Sequence, residues 1–455
     1  MNRNIGLLVA VTVAALTLLT FFPGCRSGGE NGEDGNVYYV SPSGDDSAPG
    51  TQEKPWKTIQ KAADTLEAGD TAYIMTGTYA ERVTPRRSGR EGKEITFAAL
   101  PGHTPVIDGR TVPLNNDQAA LCEIANRNFI RISGLQIVNA NAFSGACGII
   151  LSQVDHVIIE KCAFRSIASS GIAIWDSRSV TIADNEIESA ARQGEQACIV
   201  LTGTTGFEIS GNHIFSGSAG EVRGEGITVA EGAADGKIVR NRIHHLGRPG
   251  IYIDAWDRKT SGIEVTGNTI HHCQGDGLVL VQELGGALES IRISNNLIHD
   301  NRDCGLVCGR SSVGSPQPMK EISIINNTFS RNGTDAWGGG LLIDTPRIEA
   351  ILVRNNLFSQ NAQFQLRLET DVPWAAVPAD HNLFDALIDV DEEYIGTDFI
   401  MGPALFIDAE GGDFHLQARS PAIDCGSTAA APADDLDGTA RPQGPGIDIG
   451  CYERK

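Results

Sequence analysis

One phrase recurs along most of this chain: an alternating apolar strand, an asparagine, one residue, another apolar residue, a turn, then a glycine opening a second alternating strand. The asparagines are Asn185, Asn212, Asn241, Asn268, Asn296, Asn327, Asn356 and Asn382, with Leu135 and Cys162 in the same place in the first two repeats. Successive members stand 23 to 31 residues apart over residues 128–385. A period of that size is the mark of one structural coil per repeat.

Within each repeat the apolar positions alternate. They lie three and five residues before the asparagine, as in Val180 and Ile182 or Ile291 and Ile293, and two residues after it, as in Ile187, Ile243 and Phe329. A period of two means strand, with these side chains on one face. A further strand follows each glycine in Gly171-Ile-Ala-Ile, Gly226-Ile-Thr-Val, Gly250-Ile-Tyr-Ile and Gly277-Leu-Val-Leu. Three short strands per coil cannot bury their apolar face alone. Coils stacked at ~4.8 Å pair every backbone group with the coil above and below. The fold expected is therefore all-β, a single-stranded parallel β-helix, a solenoid in which Ile182, Ile209 and Ile238 line up in one interior file. The asparagine column is read as architecture, hydrogen-bonded along a turn between two sheets.

A solenoid end is an open sheet edge and needs a cap. Trp56, Ile59, Ala62, Ala63 and Leu66 lie at helical spacing, with Gly69 as a stop, and predict an N-terminal capping helix. Around it, Tyr39-Val-Ser-Pro-Ser-Gly-Asp-Asp, Pro55-Trp-Lys-Thr-Ile-Gln-Lys-Ala, Ala68-Gly-Asp-Thr and Gly77-Thr-Tyr resemble the opening of bacterial right-handed parallel β-helix, pectate-lyase-like proteins. That resemblance and the repeats together cover roughly residues 37 to 385. Further on, Pro403-Ala-Leu-Phe, Gly412-Asp-Phe-His-Leu, Ser420-Pro-Ala-Ile-Asp-Cys-Gly, Asp435-Leu-Asp-Gly, Arg441-Pro and Asp448-Ile-Gly-Cys-Tyr-Glu resemble the choice-of-anchor Q domain, which implies surface association. Its short apolar runs and Gly/Asp/Pro turns predict a small C-terminal cap over the last coil.

Arg3, an apolar run from Ile5 to Phe22, and Pro23-Gly24-Cys25 read as an export signal. The small residue before Cys25 resembles the lipobox of bacterial lipoproteins, which implies lipid attachment at Cys25 and a membrane anchor, or else simple secretion. The expected organisation is a signal at 1–24, a flexible linker at 25–36, an N-terminal cap and first coils at 37–127, the β-helix repeats at 128–385 and the C-terminal module at 386–455. Beyond Cys25 nine cysteines remain, without Cys-x-x-Cys spacing. Cys122 and Cys308 fall at inward positions and read as small buried hydrophobes. Cys425 and Cys451 sit in the two halves of the C-terminal module, and an exported compartment permits a disulfide between them.

Lys and Arg number 36 against 57 Asp and Glu, a net charge of −21, which excludes a nucleic-acid partner held by a basic face. The partner expected is polysaccharide, engaged by a monomer. The resemblance to pectate-lyase-like helices implies ligands along an outward groove of one sheet, so outward residues and strand ends are where a site is expected. At the exit of the post-glycine strand lie Trp175, Asp176, Glu231, Asp254, Trp256, Gln282, Glu283, Arg310, Asp344 and Glu369. Glu231 and Asp254 belong to adjacent coils, about 5 to 8 Å apart if their loops follow the stack. That spacing suits a glycosidase carboxylate pair, with Tyr252 and Trp256 as a stacking face and Glu283 and Arg310 beside them. At the strand entrance Glu225, Asp276 and Asp303, with Arg223 and Arg248 nearby, are candidate oxygen ligands for Ca²⁺; turn acids explain them as well. His244, His271 and His299 hold one place in three consecutive coils, three residues after the asparagine, and read as a stacked turn column ahead of a metal or acid/base one.

The resemblance also implies a uronate-cleaving lyase, in which a basic residue takes the proton and calcium or an arginine neutralises the carboxylate. Basic groups are scarce, and Lys237, Lys259 and Arg310 are the mid-helix candidates. The leading expectation is thus a glycoside hydrolase working through Glu231 and Asp254. The alternatives are a polysaccharide lyase of uronate glycans and a non-catalytic carbohydrate-binding surface protein.

Overall fold

The computed structural model describes residues 35–116, 119–193, 196–215, 224–309, 317–388 and 393–455; Cys25 and Arg310 lie outside these. Among the described residues three parallel sheets form the stack, two of 13 strands and one of 10, and from Ala120–Ala125 to Leu366–Leu368 each coil adds one strand to each sheet. The coil of Asn241 shows the plan. Ala234–Val239 lies in the first sheet, Arg242–His244 in the second and Ile251–Asp254 in the third. Sheet pairing is continuous from the first coils into the repeats, as where Ile95–Ala99 pairs with Ile130–Ser133.

The inward files form as the period-two pattern requires. In the first sheet Ile182 pairs with Ile209, Ile209 with Ile238 and Ile238 with Val265. In the second, Ile270, Ile298, Phe329, Phe358 and Phe384 succeed one another, the last three rings stacked with centroids 5.2 and 5.3 Å apart. Cys122 and Cys308 are buried in the same core. This continuous apolar column is what no single coil could enclose.

The asparagine column is a hydrogen-bonded ladder. The Asn268 Oδ1 accepts from both the backbone N–H and the Nδ2 of Asn241 at 2.9 Å, and its own Nδ2 donates to Ile238 O and to Asn296 Oδ1 at 2.9 Å. The residue before each asparagine takes the left-handed conformation that turns the first sheet into the second, as in Arg240 (φ 53°), Asn295 (φ 54°) and Asn355 (φ 56°). A second ladder, absent from the sequence reading, holds the next corner: Asn301 donates to Asn332 Oδ1 and Asn332 to Asn361 Oδ1, both at 3.0 Å. Its signal was present, an asparagine five residues after Asn296, Asn327 and Asn356.

The capping helix is shorter than its apolar spacing suggested, Ile59–Thr65. Thr58 sets its start, its Oγ1 accepting the Lys61 N–H at 3.1 Å, while the Glu81 carboxylate accepts from Ile59 and Gln60 at 2.9 Å. Trp56 is left outside as an anchor, stacked on Tyr38 at 4.5 Å with its indole N–H on Ala48 O.

The C-terminal module corrects two expectations. It does not simply close the last coil. Ile400–Met401 extends the second sheet beyond Leu383–Phe384, and the chain then doubles back along the flank of the stack. There Leu357, Leu383, Leu416 and Ile449 form one apolar cluster, and Leu297, Phe414 and Cys451 another. The left-handed corner residues reach across to it: Asn326 Nδ2 donates to Asp448 O at 3.0 Å and Asn355 Nδ2 to Ser427 O at 2.8 Å. The expected Cys425–Cys451 disulfide is not formed; both are free thiols. Cys451 is buried against the second sheet with its N–H on Thr328 Oγ1 at 3.1 Å, whereas Cys425 is exposed.

Replacing Asn268 by alanine orphans the Asn241 N–H and the Ile238 carbonyl inside the stack, and is expected to cost about 3 kcal/mol in urea unfolding. The exposed Arg242→Ala, one coil away, should stay within about 0.5 kcal/mol of wild type. An Asn268→Ala protein as stable as Arg242→Ala would remove the ladder's structural role.

Candidate functional site

The outward face of the third sheet has an apolar floor. Ile150, Ala173, Val200, Thr228, Tyr252, Val279, Val307 and Leu342 follow one another in register. Tyr252 is the one large polar side chain in the middle of that file. It sits on Ile251–Asp254, flanked by Thr228 and Val279, and its hydroxyl donates to Glu283 Oε1 at the exit of the next strand. Burial, the bond to Glu283 and the charges of Glu283, Asp254 and Glu225 hold the phenol well above its usual pKa, so it stays protonated.

Glu225 stands at the strand entrance on the other side of Tyr252, only 6% exposed, with the Arg248 Nε 2.9 Å from its Oε1. Its pKa is raised, first by burial and further by the charge of Glu283; a backbone hydrogen bond and Arg248 oppose the rise. Arg248 itself is half in solvent. The face thus joins a buried carboxyl, a guanidinium, a phenol and a second carboxylate around one residue of the floor. The sequence reading had each of these residues but grouped them otherwise, because entrance and exit loops curl over the same strand.

Glu231 and Asp254 do not present the expected open pair. Asp254 pairs in register with Ala230, and its carboxylate, 2% exposed, is taken up in the turn: Oδ1 accepts the Trp256 N–H at 2.7 Å and the Glu283 N–H at 3.1 Å. Burial raises its pKa to about 6 against those two bonds, with the charges of Glu283 and Glu231 adding to the rise. Glu231, on a left-handed residue (φ 52°), turns to Arg258 at 3.1 Å. Trp256 is half-exposed beside them, and Trp175 packs on the floor near Ala173 and Val200.

Two of the three candidate calcium ligands have partners within the protein. Glu225 is paired with Arg248, and Asp276, its pKa pushed to about 6 by burial first and the Asp303 charge, accepts the Cys304 N–H at 2.8 Å. Among the described residues no group of three or more His, Cys, Asp or Glu side chains is arranged to hold a metal ion. Lys237 and Lys259 lie along the first sheet, near Glu264 and Glu289. His244, His271 and His299 are a stack, ring centroids 4.8 Å apart, as the structural reading had them.

The stack of coils is an all-β, pectate-lyase-like right-handed parallel β-helix. Residues 38–197 match the family described as Pel9A-like, right handed beta helix region, and residues 255–371 match a right handed beta helix region. The chain is 28% identical over 342 residues to the uncharacterized protein YwoF of Bacillus subtilis (strain 168), covering 68% of this chain and 71% of that protein. It is 30% identical over 147 residues to pectate lyase PEL9 of Emericella nidulans, a stretch that spans 30% of this chain and 35% of that enzyme. Among solved structures it superposes on pectate lyase Pel9A with a TM-score of 0.57 at 16% identity, covering 93% of this chain and 97% of that one. The structure of XylC with xylose gives 0.59 at 14% identity, covering 92% and 98%.

Asp254→Asn keeps an Oδ1 for both N–H donors and removes a carboxyl whose pKa burial raises to about 6. A carboxyl with a raised folded pKa weakens the folded state as pH climbs from the unfolded value through about 6. Thermal unfolding should therefore show Asp254→Asn gaining on wild type across that window and holding its lead above it. Asp254→Ala should lose about 1–3 kcal/mol at every pH. Parallel curves for wild type and Asp254→Asn would show that the buried charge carries no such cost.

Proposed function

We propose that this chain is an exported protein that cleaves a uronate-containing polysaccharide by β-elimination on the outward face of its third sheet. The observation that carries the reading is the arrangement at Tyr252: a phenol bonded to Glu283, a buried Glu225 of raised pKa, and Arg248 between Glu225 and solvent. The Pel9A-like match over residues 38–197 and the pectate lyase relative support the reaction class.

Elimination needs three things of a site. The substrate carboxylate must be neutralised, because the proton on its α-carbon is otherwise too weakly acidic. Arg248 Nε is engaged by Glu225, and its terminal N–H groups remain for that carboxylate. A base must take the α-proton. Tyr252 Oη accepts it as its own proton passes along the existing bond to Glu283, so phenol and carboxylate act as one base without a free phenolate. The oxygen leaving the β-carbon must be protonated as its bond to carbon breaks and the new carbon–carbon double bond forms. Glu225, held toward its neutral form by burial, supplies that proton. The aliphatic floor and the rings of Trp175 and Trp256 give sugar faces something to lie on.

Hydrolysis through Glu231 and Asp254 is the weaker reading, since one carboxylate is sealed in a turn and the other is paired with Arg258. Export by the leader, lipid attachment at Cys25 and surface association through the C-terminal module complete the reading. They rest on the residues of those segments alone.

The test is a panel of pectate, alginate, xylan and neutral glucans, read by ultraviolet absorbance for unsaturated ends and by a reducing-sugar assay. Absorbance should rise with a uronate polymer, and Tyr252→Phe and Glu283→Gln should each lower kcat about 10²- to 10⁴-fold with KM little changed. Reducing ends without absorbance would make the protein a hydrolase. Unimpaired elimination in Glu283→Gln would take the base out of this face.

A further inference from the structure

A cleft of ≈ 790 Å³ lies elsewhere, between the outward face of the second sheet and the inner edge of the C-terminal module. The sheet supplies Arg242, Thr269 and His271, the corner beside it Arg240, and the module Gly411, Gly412 and Tyr452. His271 and His299 on its floor belong to a column of rings in which Phe215, His244, His271 and His299 stack from coil to coil at 5.4, 4.8 and 4.8 Å, closed by Phe414 of the module at 4.6 Å from His299. Stacked rings spend their faces on one another and show their edges, so what they offer a ligand is ring nitrogen rather than a flat platform. The guanidiniums of Arg240 and Arg242 are exposed and have no hydrogen-bond or ion-pair partner among the described residues. At the far end Arg331 grips Asp300 at 2.8 and 2.6 Å, and its Nη1 is buried with no acceptor. Three guanidiniums thus face two carboxylates, Asp300 and Glu410, and Asp300 is already paired with Arg331 and hydrogen-bonded to His299.

We propose that this cleft is a second glycan-binding site that takes the anionic group, carboxylate or sulfate, of an acidic oligosaccharide between Arg240 and Arg242. In a chain of net charge −21 two adjacent unpaired arginines are where an anion can settle. Salt screens the remaining acidic surface over roughly 8 Å at physiological strength, so the local guanidiniums govern a short ligand, whereas a long polyanion would still meet repulsion along the rod. Guanidinium offers a carboxylate or sulfate two parallel N–H donors, and the imidazole edges of His271 and His272 lie within the same cleft to bond sugar hydroxyls. The site faces a different sheet from Tyr252 and stands whether or not that face is catalytic.

Histidine side-chain NMR on the intact mature protein locates binding. A galacturonic acid trimer should shift the His271 and His272 signals, xylotriose should not, and the response should fade at high salt. Calorimetric affinity should fall at least tenfold in Arg240→Gln/Arg242→Gln, recover in part with lysine at both positions, and persist in Arg248→Gln, which disables only the third-sheet face. A sulfated disaccharide run alongside tells a sulfate preference from a carboxylate one. Silent histidine signals with both acidic ligands, an equal response to xylotriose, or undiminished affinity in the double glutamine variant would each overturn the proposal.

Discussion

The structure depends on the hydrogen bonding of one coil to the next, and its least replaceable element is the buried asparagine at the first corner. A corner is where a solenoid breaks its own ladder: the chain leaves one sheet and enters another, and backbone groups inside the bend face no strand. Asn241 closes the gap on both sides, accepting from the coil before and donating toward Ile209 O and Asn268 Oδ1. Because the amide carries both donor and acceptor, identical residues satisfy one another when stacked, which aspartate or leucine could not do. Each coil is thereby held at the same angle to its neighbour, and the inward isoleucine files follow.

That constraint also decides where variation is tolerated. The interval between ladder members runs from 23 to 31 residues while the corner and the three-residue strand after each asparagine keep their form, so the differences gather elsewhere in the coil, above all in the loops entering and leaving the third sheet. Those loops carry Glu225, Arg248 and Glu283 over a floor that is otherwise aliphatic. A rigid face with adjustable rims suits an extended substrate, and the scaffold bears the cost of burying Glu225 and Asp254, both with raised pKa.

The repeats were legible in sequence because both of their signals are local. Alternation names the strand and the asparagine names the corner, so the register at Ile182, Ile209 and Ile238 could be written down from spacing alone. The site was legible only as a set of residues. Glu231 and Asp254 looked paired because coil arithmetic puts them side by side, yet a left-handed backbone at Glu231 and two N–H donors on Asp254 send the carboxylates to different partners. Glu225 and Glu283 are 58 residues apart, at opposite ends of strands in different coils, and only the packing of loops brings both to Tyr252. The shorter capping helix has the same origin, since Glu81 and Thr58 set its start through contacts that apolar spacing does not encode.

The extent of the C-terminal module is written in the corner column as well. Asn295, Asn326 and Asn355 occupy the left-handed position in three successive coils, and each side chain donates to a carbonyl of the module: Asp434, Asp448 and Ser427 in turn. In the two coils before them the same position is Gly267 and Arg240. Glycine offers no side-chain donor; a Cβ there would stand 3.8 Å from Leu436 of the module. Arginine at the next corner carries a charge that is costly to bury without an ion pair, and its guanidinium forms none with the module among the described residues. The module's hydrogen bonds to this column therefore end where the asparagines end, and beyond them the module and the second sheet part into the cleft that bears Arg242 and His271. A single column of corner residues sets both how far the flank is covered and which cations remain in solvent.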